Sequence, residues 1–315
     1  MFPLKEIDDQ IRAIRDDRLS GARELAQKGA RVLIALAEGS RAASGEEFQK
    51  ELIKAGQALI KAQPSMAPLV NLVNRSLFGV REEMELEEAK RALVTTAQGY
   101  ANHLARSVER IAQVVFPLIP DGAFVLTHSL SSTVLAAFLH AKQEGRTFAV
   151  LCTESRPQYE GRVLAERLAQ AEVETRLVVD ALAPSMMCIR HPEEASEGRD
   201  IEVVLVGADS LSTEGLVNKI GTYPLATAAR GHKVPFYVLC GTDKFVPAGY
   251  ALPEEGPKDP QEVWPDHPQR VEVINRYFDL TPLEYLTGIV TEEGMLSPTE
   301  VREIISRRRL HPWLR

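Results

Sequence analysis

The stretch Thr127-His128-Ser129-Leu130-Ser131-Ser132-Thr133 concentrates hydroxyls and one imidazole in a short span. Phe124-Val125-Leu126 runs into it, and Val134, Leu135, Phe138 and Leu139 follow at helical spacing. A buried parallel strand ending in a loop that opens a helix has this pattern. Such a loop directs unpaired backbone N–H groups, hydroxyls and the positive end of a helix dipole at one point, which suits a phosphate. The plainer alternative is an ordinary N-cap, with Ser131 or Ser132 satisfying the first turn and nothing bound.

Other groups capable of chemistry follow further apolar runs. They are Thr153-Glu154-Ser155-Arg156-Pro157, Gly207-Ala208-Asp209-Ser210, Asn218-Lys219-Ile220-Gly221-Thr222 and Gly241-Thr242-Asp243-Lys244-Phe245. Each has a dull explanation of its own. Arg156 could pair with Glu154 or Glu160, Asp209 could cap the turn at Ser210 and Ser212, and Lys219 or Lys244 could be solvated. Taken together, the coincidence favours one anion site for a phosphorylated small molecule.

The elements that would have to position these groups divide the chain at about residue 120. Residues 1–120 read as a helical domain, with helices near 4–17 and 19–38, a third through Phe48, Leu52 and Ala58, a short fourth after Pro68, and a long fifth over 84–115. Phe116-Pro117-Leu118-Ile119-Pro120-Asp121-Gly122 reads as a linker. In 121–315, strands expected near 123–127, 147–152, 176–179, 202–207 and 235–240 alternate with helices near 131–144, 158–171 and 222–230. Strand–helix alternation predicts an α/β domain with a parallel sheet covered on both faces. Ligands of such sheets sit outside the carboxyl ends of the strands, where the polar groups above fall.

Composition narrows the classes. The chain has 315 residues, 44% hydrophobic content and a formal net charge of −7. An acidic chain has no overall attraction to nucleic acid or to anionic membranes, so neither is an expected partner. No window approaches an apolar membrane span and no signal core opens the sequence, so a cytoplasmic location is expected. Cys152, Cys188 and Cys240 are too few and too scattered for a disulfide framework or a zinc site, and Cys152 and Cys240 read as core residues. No cluster has metal-ligand spacing and no Gly-x-Gly-x-x-Gly follows the first strand, so no metal and no cofactor is expected. Arg307-Arg308-Arg309 reads as a solvated helix end. The acidic, proline-rich segment 252–270 reads as a surface loop without a function.

The motifs carry a resemblance. Thr127-His128-Ser129, Thr153-Glu154-Ser155-Arg156-Pro157, Gly207-Ala208-Asp209-Ser210, Asn218-Lys219-Ile220-Gly221-Thr222 and Lys244-Phe245 occur in order. Asn275-Arg276-Tyr277-Phe278-Asp279-Leu280-Thr281-Pro282 and Ile289-Val290-Thr291-Glu292-Glu293-Gly294 follow. Together they resemble the initiation factor 2B alpha/beta/delta family, which also contains ribose-1,5-bisphosphate isomerase and methylthioribose-1-phosphate isomerase. The resemblance is weak through the helical third and strong from about residue 123. It implies an N-terminal helical domain, a Rossmann-like C-terminal domain, a sugar-phosphate pocket between them, and a homodimer or higher homo-oligomer.

In the family's isomerases a cysteine follows the Thr-His pair and an aspartate sits in the Gly-Ala-Asp motif, and these two carry acid–base chemistry between C1 and C2 of the sugar. Here the aspartate is kept as Asp209, while Ser129 stands at the cysteine position. The family also has an arginine before a Gly-Ala pair, where this chain has Ser20 before Gly21. A thiol titrates near pH ~8.5, whereas a serine hydroxyl needs an adjacent base. His128 should not reach Ser129, because neighbours on an extended segment point apart. Losing a proton-transfer group typically costs about 10²–10⁴ in rate.

The resemblance therefore implies a protein that binds a phosphorylated sugar or nucleotide, without the cysteine-dependent isomerase activity. Two alternatives stand beside it. One is an aldose–ketose isomerase acting on a sugar 1-phosphate, using Asp209 with Cys152 or Cys240 as partner. The other is a structural subunit of a translation-factor-like assembly. The site residues implied are Gly21, Ser129, Ser131 and Ser132 for phosphate and hydroxyls, Arg156 for a phosphate, and Asp209 facing C1–C2. Asn218, Lys219 and Lys244 complete the set, on the remaining hydroxyls or phosphate.

Overall fold

A computed structural model describes residues 2–17, 20–187, 200–253 and 255–315. The chain folds into two compact units: Met1–Arg106 with Asp243–Pro253 and Ile304–Arg315, and Ser107–Thr242 with Glu254–Glu303. The division falls earlier than the sequence pattern suggests and is not a single cut. Cys188 lies outside the described residues.

The first unit is built on α1 (Phe2–Asp16), α2 (Ala22–Gly39), α3 (Gly45–Ala62), α4 (Ala67–Gly79) and most of α5 (Leu86–Val115). α4 is apolar around its circumference, with Leu69, Val70, Leu72 and Val73 fully buried, and a helix of that kind belongs at the centre of a core. Two buried amides interrupt its surface, and both are satisfied by chain that returns from far away in sequence. Asn71 Nδ2 donates to the carbonyls of Asp243 (2.6 Å) and Phe245 (2.9 Å). Asn74 donates to Arg309 O (2.9 Å) and accepts from His311 N (2.8 Å). A buried amide left unpaired would cost about 1–3 kcal/mol, so these bonds fix where the two late segments pack. They also correct the reading of the arginine run. Arg307 ends its helix, but Arg308 donates to Phe245 O (3.1 Å) and Arg309 lies over the Phe78 ring.

The second unit carries a seven-stranded sheet. Its strands are β1 (Phe124–Thr127), β2 (Ala149–Thr153), β3 (Glu174–Val178), β4 (Val203–Val206), β7 (Phe236–Leu239), β9 (Gly288–Thr291) and β10 (Gly294–Leu296). The order is β10-β9-β7-β4-β1-β2-β3, parallel except for the antiparallel edge strand β10. β1, β2 and β4 are buried along their whole length, which is why they read as unbroken apolar runs. The intervening helices are α6 (Ser132–Gln143), α7 (Glu160–Gln170), α8 (Ala183–Met186) and α9 (Thr222–His232), and α10 (Pro298–Arg307) closes the set.

The sequence pattern does not show the second sheet, antiparallel and three-stranded, made of β5 (Ser210–Leu211), β6 (Gly215–Lys219) and β8 (Phe278–Pro282). β5 is too short to show a period, and β8 lies about sixty residues beyond its partner β6. Asn218 and Lys219 therefore end an antiparallel strand, and Gly221 rather than Asn218 opens the following helix.

Chain order outward from β1 runs one way through β2 and β3 and the other way through β4 and β7. Strand order thus reverses between β1 and β4, and the carboxyl ends at such a switch point are where doubly wound sheets bind ligands. Close packing at the same edge demands a glycine. At Gly161, in the first turn of α7, an added Cβ would meet Thr153 O at 1.8 Å and Ser155 Oγ at 2.8 Å. Because the obstacle is backbone, Gly161→Ala is expected to lower unfolding free energy by about 1–3 kcal/mol. Gly99→Ala, in α5 with nothing within 4 Å, is expected to raise it by up to about 1 kcal/mol. Urea titration of both variants checks the contrast.

Candidate functional site

The loop after β1 is organised by a buried imidazole. His128 Nε2 lies 2.9 Å from Ile220 O, and its Nδ1 lies 2.6 Å from Thr153 Oγ1. A carbonyl can only accept, so Nε2 carries the proton and Nδ1 accepts from the Thr153 hydroxyl. Thr153 Oγ1 then accepts from the Ser155 hydroxyl (3.1 Å), and Ser155 Oγ in turn accepts from Ser129 N (2.9 Å). One continuous chain of donors thus joins the loops after β1 and β2 to the end of β6. Burial holds the His128 pKa below its ordinary 6.5, against the pull of the Ile220 bond and of Asp180, which keeps the ring in the neutral form that both bonds require.

Asp180, just beyond β3, extends the network. Its two oxygens accept from Ser155 N and Arg156 N, each at 2.7 Å. Ser129 (φ +66°), Ser155 (φ +62°) and Tyr159 (φ +60°) all hold the left-handed backbone conformation. For residues with a Cβ this conformation costs roughly 1–2 kcal/mol each, and clusters of it mark functional loops.

The hydroxyls differ in their engagement. Ser131 is the N-cap of α6, accepting from Val134 N (3.3 Å), as the plainer sequence reading has it. Ser132 is the first helical residue, partly exposed. Ser129 is at the edge of burial, with its amide tied down. A Cβ added at Gly207 would lie 2.6 Å from both Cβ and Oγ of Ser131, so the Gly-Ala-Asp loop after β4 packs directly on the loop that carries Ser129. Asp209, partly buried, donates its backbone N–H to Val217 O (3.0 Å). The 212–215 turn is closed by the Ser212 hydroxyl, which accepts from Glu214 N (3.2 Å) and Gly215 N (3.4 Å).

The cations are allotted unevenly. Neither carboxylate weighed as a partner for Arg156 is used that way: Glu154 pairs with Arg162 (2.7 Å), and Glu160 with Lys219 (2.5 Å). Arg156 has only neutral partners among the described residues. Its Nη1 donates to Tyr159 Oη and its Nη2 to Val263 O (2.7 Å), and the guanidinium lies 4.9 Å from the Tyr159 ring centre. Lys219 is not solvated. It is buried, paired with the half-buried Glu160 and flanked by the rings of Tyr277 (5.0 Å) and Phe278 (5.4 Å). Asn218 donates to Thr222 Oγ1 (2.9 Å), which donates to Lys219 O (2.7 Å).

Gly21 and Lys244 belong to the first unit. Gly21 is the exposed N-cap of α2, with no side-chain cap bond, and Lys244 ends the short turn Thr242–Lys244. The Cys152 thiol is not a usable acid or base near neutral pH. Cys152 and Cys240 are both buried, and burial pushes the Cys152 pKa up to about 12.

Sequence reasoning missed Asp180 and Asp279, and offered Glu160 to Arg156 where the structure pairs it with Lys219. Asp180 follows an apolar strand and could have been found by the same carboxyl-end rule that found Arg156. Asp279 depends on pairing of β8 with β6, where it lies opposite Asn218. Its Oδ2 accepts from Gly221 N (2.8 Å) and Tyr223 N (3.0 Å), so a carboxylate of the chain itself occupies the positive end of α9. Oδ1 is buried without a partner. Burial raises the Asp279 pKa from 3.8 to about 6, with the Tyr223, Gly221 and Thr222 amides opposing.

The folded chain thus holds this proton more tightly than the unfolded chain does. The stability that the proton confers is complete below about pH 4 and is lost as pH rises through 6. Relative to Asp279→Asn, the wild-type unfolding free energy is expected to drop by about 1 kcal/mol between pH 5 and pH 7. Urea unfolding of both proteins across that range measures the difference.

Comparison with known proteins agrees with this architecture. The model of the initiation factor 2 subunit family matches residues 18–298. A ribose 1,5-bisphosphate isomerase of Thermococcus kodakarensis is 29% identical over 97% of this chain and 95% of its own length. Among solved structures, the translation initiation factor eIF-2B of Pyrococcus horikoshii OT3 superposes with a TM-score of 0.77 at 30% identity, covering 94% of this chain and 98% of that one. The 5-methylthioribose 1-phosphate isomerase of the same organism gives 0.70 at 27%, covering 95% and 88%.

Proposed function

The chain belongs to the initiation factor 2 subunit family, and within it we propose an aldose–ketose isomerase of a pentose phosphate, of the ribose 1,5-bisphosphate type. Support comes from the relatives that carry that name over almost the whole chain. The observation that carries the reading is local. The loops bearing Ser129 and Asp209 pack on each other through Gly207 and Ser131 at the turn of strand order, beside an arginine that no carboxylate among the described residues neutralises. Arg156 supplies a fork of donors for a phosphate.

In the isomerisation the bond between C1 and the ring oxygen breaks and C2 becomes a carbonyl: C1 gains the hydrogen that C2 loses, and the ring oxygen gains the proton that the C2 hydroxyl gives up. Asp209 is the group assigned to proton transfer at C1–C2. Ser129 is assigned a hydrogen bond to the sugar, because its hydroxyl is too weak an acid to exchange a proton unaided. Asn218 and the Glu160–Lys219 pair are assigned to the remaining polar groups of the ligand.

One observation favours a second reading, binding without turnover: no thiol stands at position 129, and Cys152 is too buried to serve.

An assay of ribose 1,5-bisphosphate conversion separates the two. Under the isomerase reading the wild type turns over, Asp209→Asn loses about 10²–10⁴ in kcat, and Ser129→Ala changes KM more than kcat. Under the binding reading the wild type shows a ligand-induced rise in Tm without turnover, and Ser129→Cys gains activity. Turnover undiminished in Asp209→Asn removes Asp209 from the mechanism.

A further inference from the structure

The acidic, proline-rich segment 252–270 is not an idle surface loop. Two of its carboxylates and two of its carbonyls, those of Val263 and of Asp259 (2.7 Å from Asn275 Nδ2), bond other residues of the second unit. Glu255 accepts from Tyr277 N through both oxygens (3.0 Å each) and from Phe278 N (3.1 Å), with Lys258 alongside at 3.5 Å. Glu262 accepts from Gln158 Nε2 (2.7 Å), Asn275 Nδ2 (2.9 Å) and the Tyr277 hydroxyl (2.5 and 2.6 Å). The residue after it, Val263, presents its carbonyl to Arg156 Nη2.

The chemistry of this arrangement is selective. An acidic segment next to an arginine would ordinarily neutralise it with a carboxylate, in a charge-assisted pair. Here Glu262 is consumed by neutral donors and Glu255 by backbone amides and Lys258, and the segment reaches the guanidinium only through a carbonyl. A carbonyl orients the planar fork without cancelling its charge, and Tyr159 does the same from the other side. Two donors are thereby fixed while the positive charge stays available.

We propose that residues 255–263 form a strap that aims Arg156 at a phosphate, with Glu262 as the positioning residue that anchors it. Glu262 does not touch the ligand, and it acts through Val263 and Arg156. The inference rests on Arg156 being a phosphate-binding group, as read above, so the experiment tests the two separately.

Binding of ribose 1,5-bisphosphate is measured by calorimetry for wild type, Arg156→Ala, Glu262→Gln and the double variant. Phenylglyoxal labelling of Arg156, read by peptide mass in the absence of ligand, is measured alongside, with Arg230 as reference. A glutamine at 262 turns a donor toward Asn275 and loses an acceptor, so the anchor fails. Arg156→Ala is expected to weaken binding about 10- to 100-fold, the worth of a charge-assisted contact. Glu262→Gln is expected to weaken it about 3- to 10-fold, to add nothing further in the Arg156→Ala background, and to speed labelling at Arg156 severalfold while Arg230 is unchanged. Gln158→Ala, which removes one anchor bond, should move both readouts the same way by less, and it stands in if Glu262→Gln does not fold.

Additive losses, or labelling of Arg156 that is unchanged or rises equally at Arg230, overturn the strap. Loss of binding in Arg156→Ala with Glu262→Gln silent overturns the strap and leaves the functional reading intact. Binding that is indifferent to Arg156→Ala overturns the premise and the strap with it.

Discussion

A neutral, buried histidine is the constraint on which the site depends. His128 can bond both Thr153 and Ile220 only with its proton on Nε2, and that assignment fixes the direction of every bond in the chain back to Ser129 N. A protonated ring would present a second donor to the Thr153 hydroxyl, which would have to turn away and find another acceptor. Desolvation and hydrogen bonding thus act together: burial disfavours the charged form, and the neutral form is the one that locks three loops in register. Ser129 is held in a costly left-handed conformation because its amide is spoken for by Ser155.

The second organising principle is how charge is distributed over the edge of the sheet. Lys219 is buried, and its charge would be costly without Glu160 to pair it. Glu154 answers Arg162, and Asp180 and Asp279 are given to backbone amides. Each of these carboxylates satisfies something that the fold itself needs. Arg156 is left with a phenol and a carbonyl, so no described carboxylate answers the charge of its guanidinium. The positive end of α9, which a helix-dipole argument alone would offer to a phosphate, is occupied by Asp279.

Sequence made much of this legible where the physics is local. Helices α2 to α5 follow from three- and four-residue spacing and from Gly39 and Pro64 near their ends. The strands β1, β2 and β4 follow from buried apolar runs, and the carboxyl-end rule located Ser129, Arg156 and Asp209. What could not be read depends on distant pairing. β6 and β8 recognise each other across an intervening helix and strand, so Asp279 had no visible reason to matter. Arg156 lay within reach of two glutamates in sequence, and only the geometry shows both of them engaged elsewhere. The segment 252–270 has the composition of a solvent loop, because its bonds are made by a few scattered carboxylates and not by a periodic apolar face. Chain returning to the first unit is invisible for the same reason, since Asn71 and Asn74 show their partners only once folded.

The serine at position 129 bears on how an isomerase could work here. A thiol can hold or release a proton near neutral pH, while a hydroxyl at the same place can only donate or accept a hydrogen bond unless a base adjoins it. His128 is not that base: its one accepting nitrogen is occupied by Thr153, and its other nitrogen is a donor. Under the isomerase reading, the hydrogen that moves between C2 and C1 is therefore assigned to the carboxylate of Asp209, with Ser129 restricted to a hydrogen bond to the sugar. A single carboxylate in that position works best when its acidity is close to the operating pH. Under that reading, the rate set by a hydroxyl in place of a thiol measures how much of the isomerisation depends on the second acid–base group.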